Sequence, residues 1–377
     1  MKDSKYYVLW KKDSSLLKEY LEKYYLLLLD KLEKLKDKTE LKQSINSLLK
    51  SEDKKDFIMN ADNSSLINYL YFELIELKPQ FLWNIKEKQD LFLNQINIFL
   101  KEWIKSSNLI MNKWTEIPWT KIKLTNFDNS PYNKQEAHPD HFKQWAVSWN
   151  WWEKTEKEWL EVYKKSFDLL KDLDEWIYDE LNQIITKIVP LWTARGTHNS
   201  ASYKEVIGHL YMWYTLDAGM PELNNLEAII HESSHNKLNL LFQFDSIVLN
   251  SKEEKYYSAI RPDARHLHWV FLWVHAFAPT IYILSEAIKS WYIKDNNWLE
   301  KFVLYTIKTK FLYKVIAKHA NLSEMWQEIF DEVKYVISLI DENFKQINPS
   351  KEIIQKAKER QIQHFNEVNR NYPYLEY

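Results

Sequence analysis

Residues 228–242 read AIIHESSHNKLNLLF. The apolar residues Ile229, Ile230, Leu238, Leu240 and Leu241 describe one helix with a buried side. His231 and His235 stand one helical turn apart, so both imidazoles leave the same face and can grip one ion. Glu232 follows the first histidine, where HExxH metallopeptidases keep the base that activates a metal-bound water. The competing reading is two polar residues on a structural helix. The buried surroundings and the histidines downstream favour a metal site.

The helix is predicted to open after Pro221, capped by Asn224 or Asn225. A loop, NSKEEKYYSAIRPDARH, leads to a strongly apolar helix from about His266 to Trp291. That second helix carries His268, His275 and Glu286 on nearly the same side. The two histidines are about 10 Å apart along the axis, so only one can share an ion with the pair. A catalytic metal wants a third protein ligand and an open position. Glu286 would complete the two-histidine, one-glutamate zinc set of a peptidase, whereas a third histidine gives an all-nitrogen site suited to zinc or iron.

Arg261 and Arg265, in RPDARH, are permanently charged forks just upstream. With Asp263 they can simply pin the loop. Beside a metal with open positions, one of them suits a small dicarboxylate that chelates the ion at one end and is held bidentately at the other.

The rest of the chain supplies the setting. Residues 1–112 show helical periodicity, clearest in SLLKEYLEKYYLLLLDKLEKLKDK at 15–38. From 114 to 152 the pattern breaks into a long irregular segment rich in Asn, Pro, Asp and Ser. It contains His138 and His141, for which a surface or capping role is expected. Helix is predicted again over 153–190, strand near 205–216 and helices onward to about Asn371. The expected class is mainly α: a multi-helix domain with a metal-binding HExxH helix, a few short strands and an irregular segment near 114–152. Two regions follow, 1–112 as an N-terminal helical region and 113–377 as the HExxH domain.

Composition narrows the function. The chain has 377 residues, 45% hydrophobic content and net charge −2, which gives no electrostatic footprint for nucleic acid or an anionic membrane. The absence of cysteine excludes disulfides, iron–sulfur clusters and thiolate zinc sites. The N-terminal residues do not read as a signal peptide, and the apolar run YYLLLL at 24–29 is too short to span a bilayer. The expectation is a cytoplasmic protein with no membrane and no nucleic-acid partner.

One count is anomalous. Ordinary usage would give roughly 26 glycines, yet the chain has Gly 3 and Trp 18. Tryptophans in SWNWWEK (148–154), VPLWTARG (189–196) and SEMWQE (323–328) fall where glycine would make ordinary loops and caps. Many of them are therefore expected to be UGA codons that the source reads as glycine. The alternative is a chain that avoids glycine, with UGG at those positions.

Taken together, HESSHNKLNLL (231–241) followed by YYSAIRPDARHLHWVFLWVHAF (256–277) resembles the HExxH-motif peptide-modification family of ribosomal peptide natural product pathways. Its members are iron- and 2-oxoglutarate-dependent peptide β-hydroxylases. The likeness covers roughly 221–290, with a weaker echo in NFDNSPYNKQEAHPDH (126–141). With glycine at Trp269 and Trp273 the second helix would read LHGVFLGVHAF, closer to the family pattern.

The resemblance implies Fe(II) held by His231, His235 and a histidine of the next helix, His275 in preference to His268. It implies 2-oxoglutarate held by Arg261 or Arg265, and oxidative decarboxylation to succinate coupled to hydroxylation of a peptide side chain. The substrate would be a peptide, such as a ribosomally made precursor. Glu232 would then orient a ligand or a water. The alternatives are a zinc metallopeptidase with Glu232 as base and Glu286 as third ligand, and a metal-free helical protein that binds a leader peptide.

Overall fold

In helix α1 (Ser15–Lys36), Leu17, Tyr24, Leu28, Leu32 and Leu35 recur at intervals of three, four and seven and are all buried. This is the spacing that gives one apolar stripe on a helix. The structure, a computed structural model, describes residues 15–37, 41–76, 85–102, 115–125, 144–146, 149–193, 200–204, 206–213, 220–373 and 375. The predicted mainly α class is what the described residues form. The chain divides into two compact units. One takes Leu17–Phe167 and Leu181–Ala228; the other takes Asp168–Glu180 and Ile229–Tyr377.

The first unit continues through α2 (Lys42–Lys50), α3 (Lys54–Met59), α4 (Ala61–Leu74) and α5 (Ile85–Glu102). Buried Lys31 on α1 donates to Asn68 Oδ1 of α4 at 2.7 Å, which satisfies an ammonium among apolar side chains. The irregular segment supplies β1 (Thr115–Glu116), β2 (Lys123–Leu124) and β3 (Gln144–Ala146). Residues 126–143, with His138, His141 and the echo at 126–141, lie outside the described residues.

The helix predicted over 153–190 is two helices and a strand: α6 (Trp149–Leu173), α7 (Glu175–Ile184) and β4 (Lys187–Thr193). Ile184, Ile185, Ile188 and Val189 fit helical spacing, but β4 has ladder partners that outweigh it. It pairs in parallel with β2 and with β6 (Val206–Trp213), and antiparallel with β3. β5 (Ser200–Tyr203) closes the edge beside β6. Gly208 has φ +93°, and a Cβ there would lie 3.0 Å from Thr186 Oγ1, so that position needs glycine.

Helix α8 (Pro221–Leu241) starts earlier than expected. Pro221 takes the first helical position, where its missing N–H costs nothing. Asn224 and Asn225 lie inside the helix rather than at its cap, and their side chains bond back to Met220 O and Pro221 O.

The second unit is built on α9 (Leu267–Lys289), which packs against α10 (Asn296–His319) and α11 (Glu324–Ile347); α12 (Lys351–Asn371) packs on α10. Asp295, Ser323 and Ser350 cap the last three helices through side-chain oxygens. Among the described residues α9 alone is long and apolar enough to cross a membrane, and most of it is buried against its neighbours.

Candidate metal site

The two motif histidines converge. His231 Nε2 and His235 Nε2 are 3.1 Å apart, with ring planes at 87°. Two imidazoles bound at about 2.0–2.1 Å to one ion would stand about this far apart. Both rings are half-buried. Burial, with the positive charge of Arg261 added, pushes His235 down to about 4 and His231 well below the ordinary histidine range. At neutral pH both are therefore uncharged, the form that ligates metal.

Helix α9 walls the pair with aromatic rings. Trp273 lies 5.8 Å from His231 and 6.5 Å from His235, and it stacks on Phe277 at 5.5 Å and 14°. Phe277 meets His231 edge-on at 4.8 Å and Tyr305 at 5.2 Å.

The two arginines part company. Arg265 turns to Asp263, Nε to Oδ2 at 2.8 Å and Nη2 to Oδ1 at 3.2 Å, while its backbone bridges Tyr256. It pins the loop. The Arg261 guanidinium lies 4.7 Å over the Trp273 ring, near enough for its charge to lower both histidines. No hydrogen bond or ion pair to that guanidinium is found among the described residues. It is held in place by a ring face and has its donors to offer.

The other predicted residues fall around this core. His275 is wholly buried, and its charge neighbours are Lys237 first and His235 second. It is two positions from both Trp273 and Phe277, about 200° round the helix from the face that meets the pair. Among the described residues no group of three His, Asp or Glu side chains is placed to hold a metal, so His275 stands beside the pair rather than completing it. His268 sits near the start of α9 against Phe242 at 4.8 Å, on a cavity of about 340 Å³ that His266 and Lys252 also line. Glu286 is engaged elsewhere: Asn343 Nδ2 donates to it at 2.6 Å and Lys289 Nζ at 3.1 Å. The zinc set that would use it is not assembled. Glu232 is buried on α8 beside His231, and its carbonyl accepts from Asn236.

Sequence reasoning missed the ion pair under the site. Lys237 is 1% exposed, and its ammonium lies 2.9 Å from Glu180 Oε1 on α7. A lysine next to Leu238 in a buried helix was the available signal. Its partner, far upstream on a different helix, had none.

The motif thus offers two converging imidazoles as metal donors, with a cationic fork close by and His275 turned to another face of α9. No protein-family model matches the chain, and no curated protein matches it.

Proposed function

We propose that the chain is a cytoplasmic Fe(II)- and 2-oxoglutarate-dependent oxygenase that hydroxylates the β-carbon of a residue in a peptide. The observation that carries this reading is the pairing of two neutral imidazoles 3.1 Å apart with an uncommitted guanidinium beside them. His231 and His235 would hold the metal, with His275 the third imidazole within electrostatic reach of His235. Bound there, the metal and 2-oxoglutarate together would supply oxygen activation. Arg261 would hold the carboxylate of 2-oxoglutarate remote from the metal. Phe277 and Tyr305 would exclude water from one side, and Glu232 would orient a ligand or a water. The peptidase reading has less support, because Glu286 is tied to Asn343 and Lys289.

The test is an anaerobic titration of Fe(II) and 2-oxoglutarate into the full chain, read as a visible charge-transfer band. A band that appears, and disappears on admitting oxygen, supports the oxygenase. Tight zinc binding with no band under any iron loading overturns it.

A further inference from the structure

Among the described residues, four that are not glycine have positive φ: Trp119, Met220, Trp291 and Asn348. Asparagine tolerates that region and Met220 precedes the proline that starts α8, but two are tryptophans, for which it is a genuine outlier. Both sit in motifs that call for glycine. Trp291, at φ +61°, follows the end of α9. Its N–H bonds to Ile288 O at 3.1 Å, and the N–H of Tyr292 bonds to Ala287 O at 3.1 Å. That pair of bonds is the Schellman closure, whose left-handed position is usually glycine. Trp119, at φ +68°, follows Pro118 in a turn closed by Thr120 N to Ile117 O at 3.0 Å. This is the Pro-Gly form of a type II turn.

Both side chains stand mostly in solvent. Trp119 and Trp291 are 78% and 76% exposed, whereas Trp159, Trp298 and Trp326 are buried in the core. The described tryptophans thus include a packed population and, at 119 and 291, a largely exposed one. With Gly 3 and Trp 18, the two counts together come close to an ordinary glycine content.

We propose that the protein, as its source makes it, carries glycine at 119 and 291, written UGA in its gene. The assignment stands on the two backbone motifs and not on the metal reading above.

The test is peptide mass spectrometry of the protein from its natural source, with sequencing of its gene, at positions 119 and 291. UGA codons and glycine masses are expected; UGG codons or tryptophan masses at these positions overturn the assignment.

Discussion

His231 Nε2 and His235 Nε2 face each other at 3.1 Å across one turn of α8, closer than two half-buried imidazoles need to be for packing alone. Either an N–H···N hydrogen bond between the neutral rings or a shared ion accounts for that separation, and metal binding separates the two.

The first prediction follows from this. His231→Ala and His235→Ala should each weaken Fe(II) or Co(II) binding at least 100-fold, since one imidazole cannot chelate. Glu286→Gln should leave affinity unchanged, because its carboxylate is occupied by Asn343 and Lys289. Anaerobic calorimetry on the three variants checks it, and equal losses on Glu286→Gln would favour the peptidase set.

The pH dependence of the metal-free chain has a definite sign. Burial lowers His231, His235 and His275, with His235 at about 4. The unfolded chain therefore takes up protons first as pH falls. Their contribution to stability is whole above about 6.5 and is lost as pH drops toward 4. With solvent at the mouth of the site, the loss for His235 is on the order of 2 kcal/mol. Denaturant midpoints of chelator-treated protein should fall across that window, and less steeply in His235→Ala.

How much of this was legible in the sequence depended on how local the cause is. The helical turn that joins His231 to His235 and the apolar face of α9 are written in adjacent residues. Strand β4 was not legible, because Ile184, Ile188 and Val189 fit either period and only the ladder to β6 decides between them. The spacing of His268, His275 and Glu286 places them along α9 without saying which face α9 turns to the pair. That face carries Trp273 and Phe277. The division of labour between Arg261 and Arg265 likewise waited on where Asp263 points.

The buried ion pair makes a stability prediction. Lys237 is almost fully buried against Glu180, so Glu180→Ala should strand an ammonium inside the unit and cost about 3 kcal/mol. Replacing both partners by apolar residues, Lys237→Met with Glu180→Leu, should recover most of that loss. Urea unfolding of the single and double variants measures the difference; a single variant as stable as the parent would show that the pair is not formed.

Two tryptophans should respond in opposite directions to the same substitution. Trp291→Gly relieves a left-handed backbone and should stabilise the chain by about 1 kcal/mol. Trp326, which the sequence reading grouped with the suspected glycines, lies in the first turn of α11, fully buried and edge-on to Phe271 at 5.5 Å. Trp326→Gly should therefore cost about 3–5 kcal/mol through the cavity it leaves. Denaturant unfolding of the two variants separates the populations.

The last prediction turns on the two arginines, which are four residues apart and chemically identical. Arg265 is spent on Asp263 and on the bridge to Tyr256, so Arg265→Leu should lower thermal stability while leaving metal affinity within a few-fold of the parent. Among the described residues the Arg261 guanidinium has the Trp273 ring as its contact, so Arg261→Leu should change stability little. What it should remove is the charge-assisted fork for an anionic co-ligand, worth about 1.5–3 kcal/mol, or roughly 10- to 100-fold in 2-oxoglutarate affinity at constant metal affinity. Arg261→Lys should restore the charge but not the bidentate grip, and so recover only part of the loss. Titrations of 2-oxoglutarate into the metal-loaded variants check this. If Arg265→Leu loses the co-ligand while Arg261→Leu keeps it, the cationic end of the site lies at the other arginine.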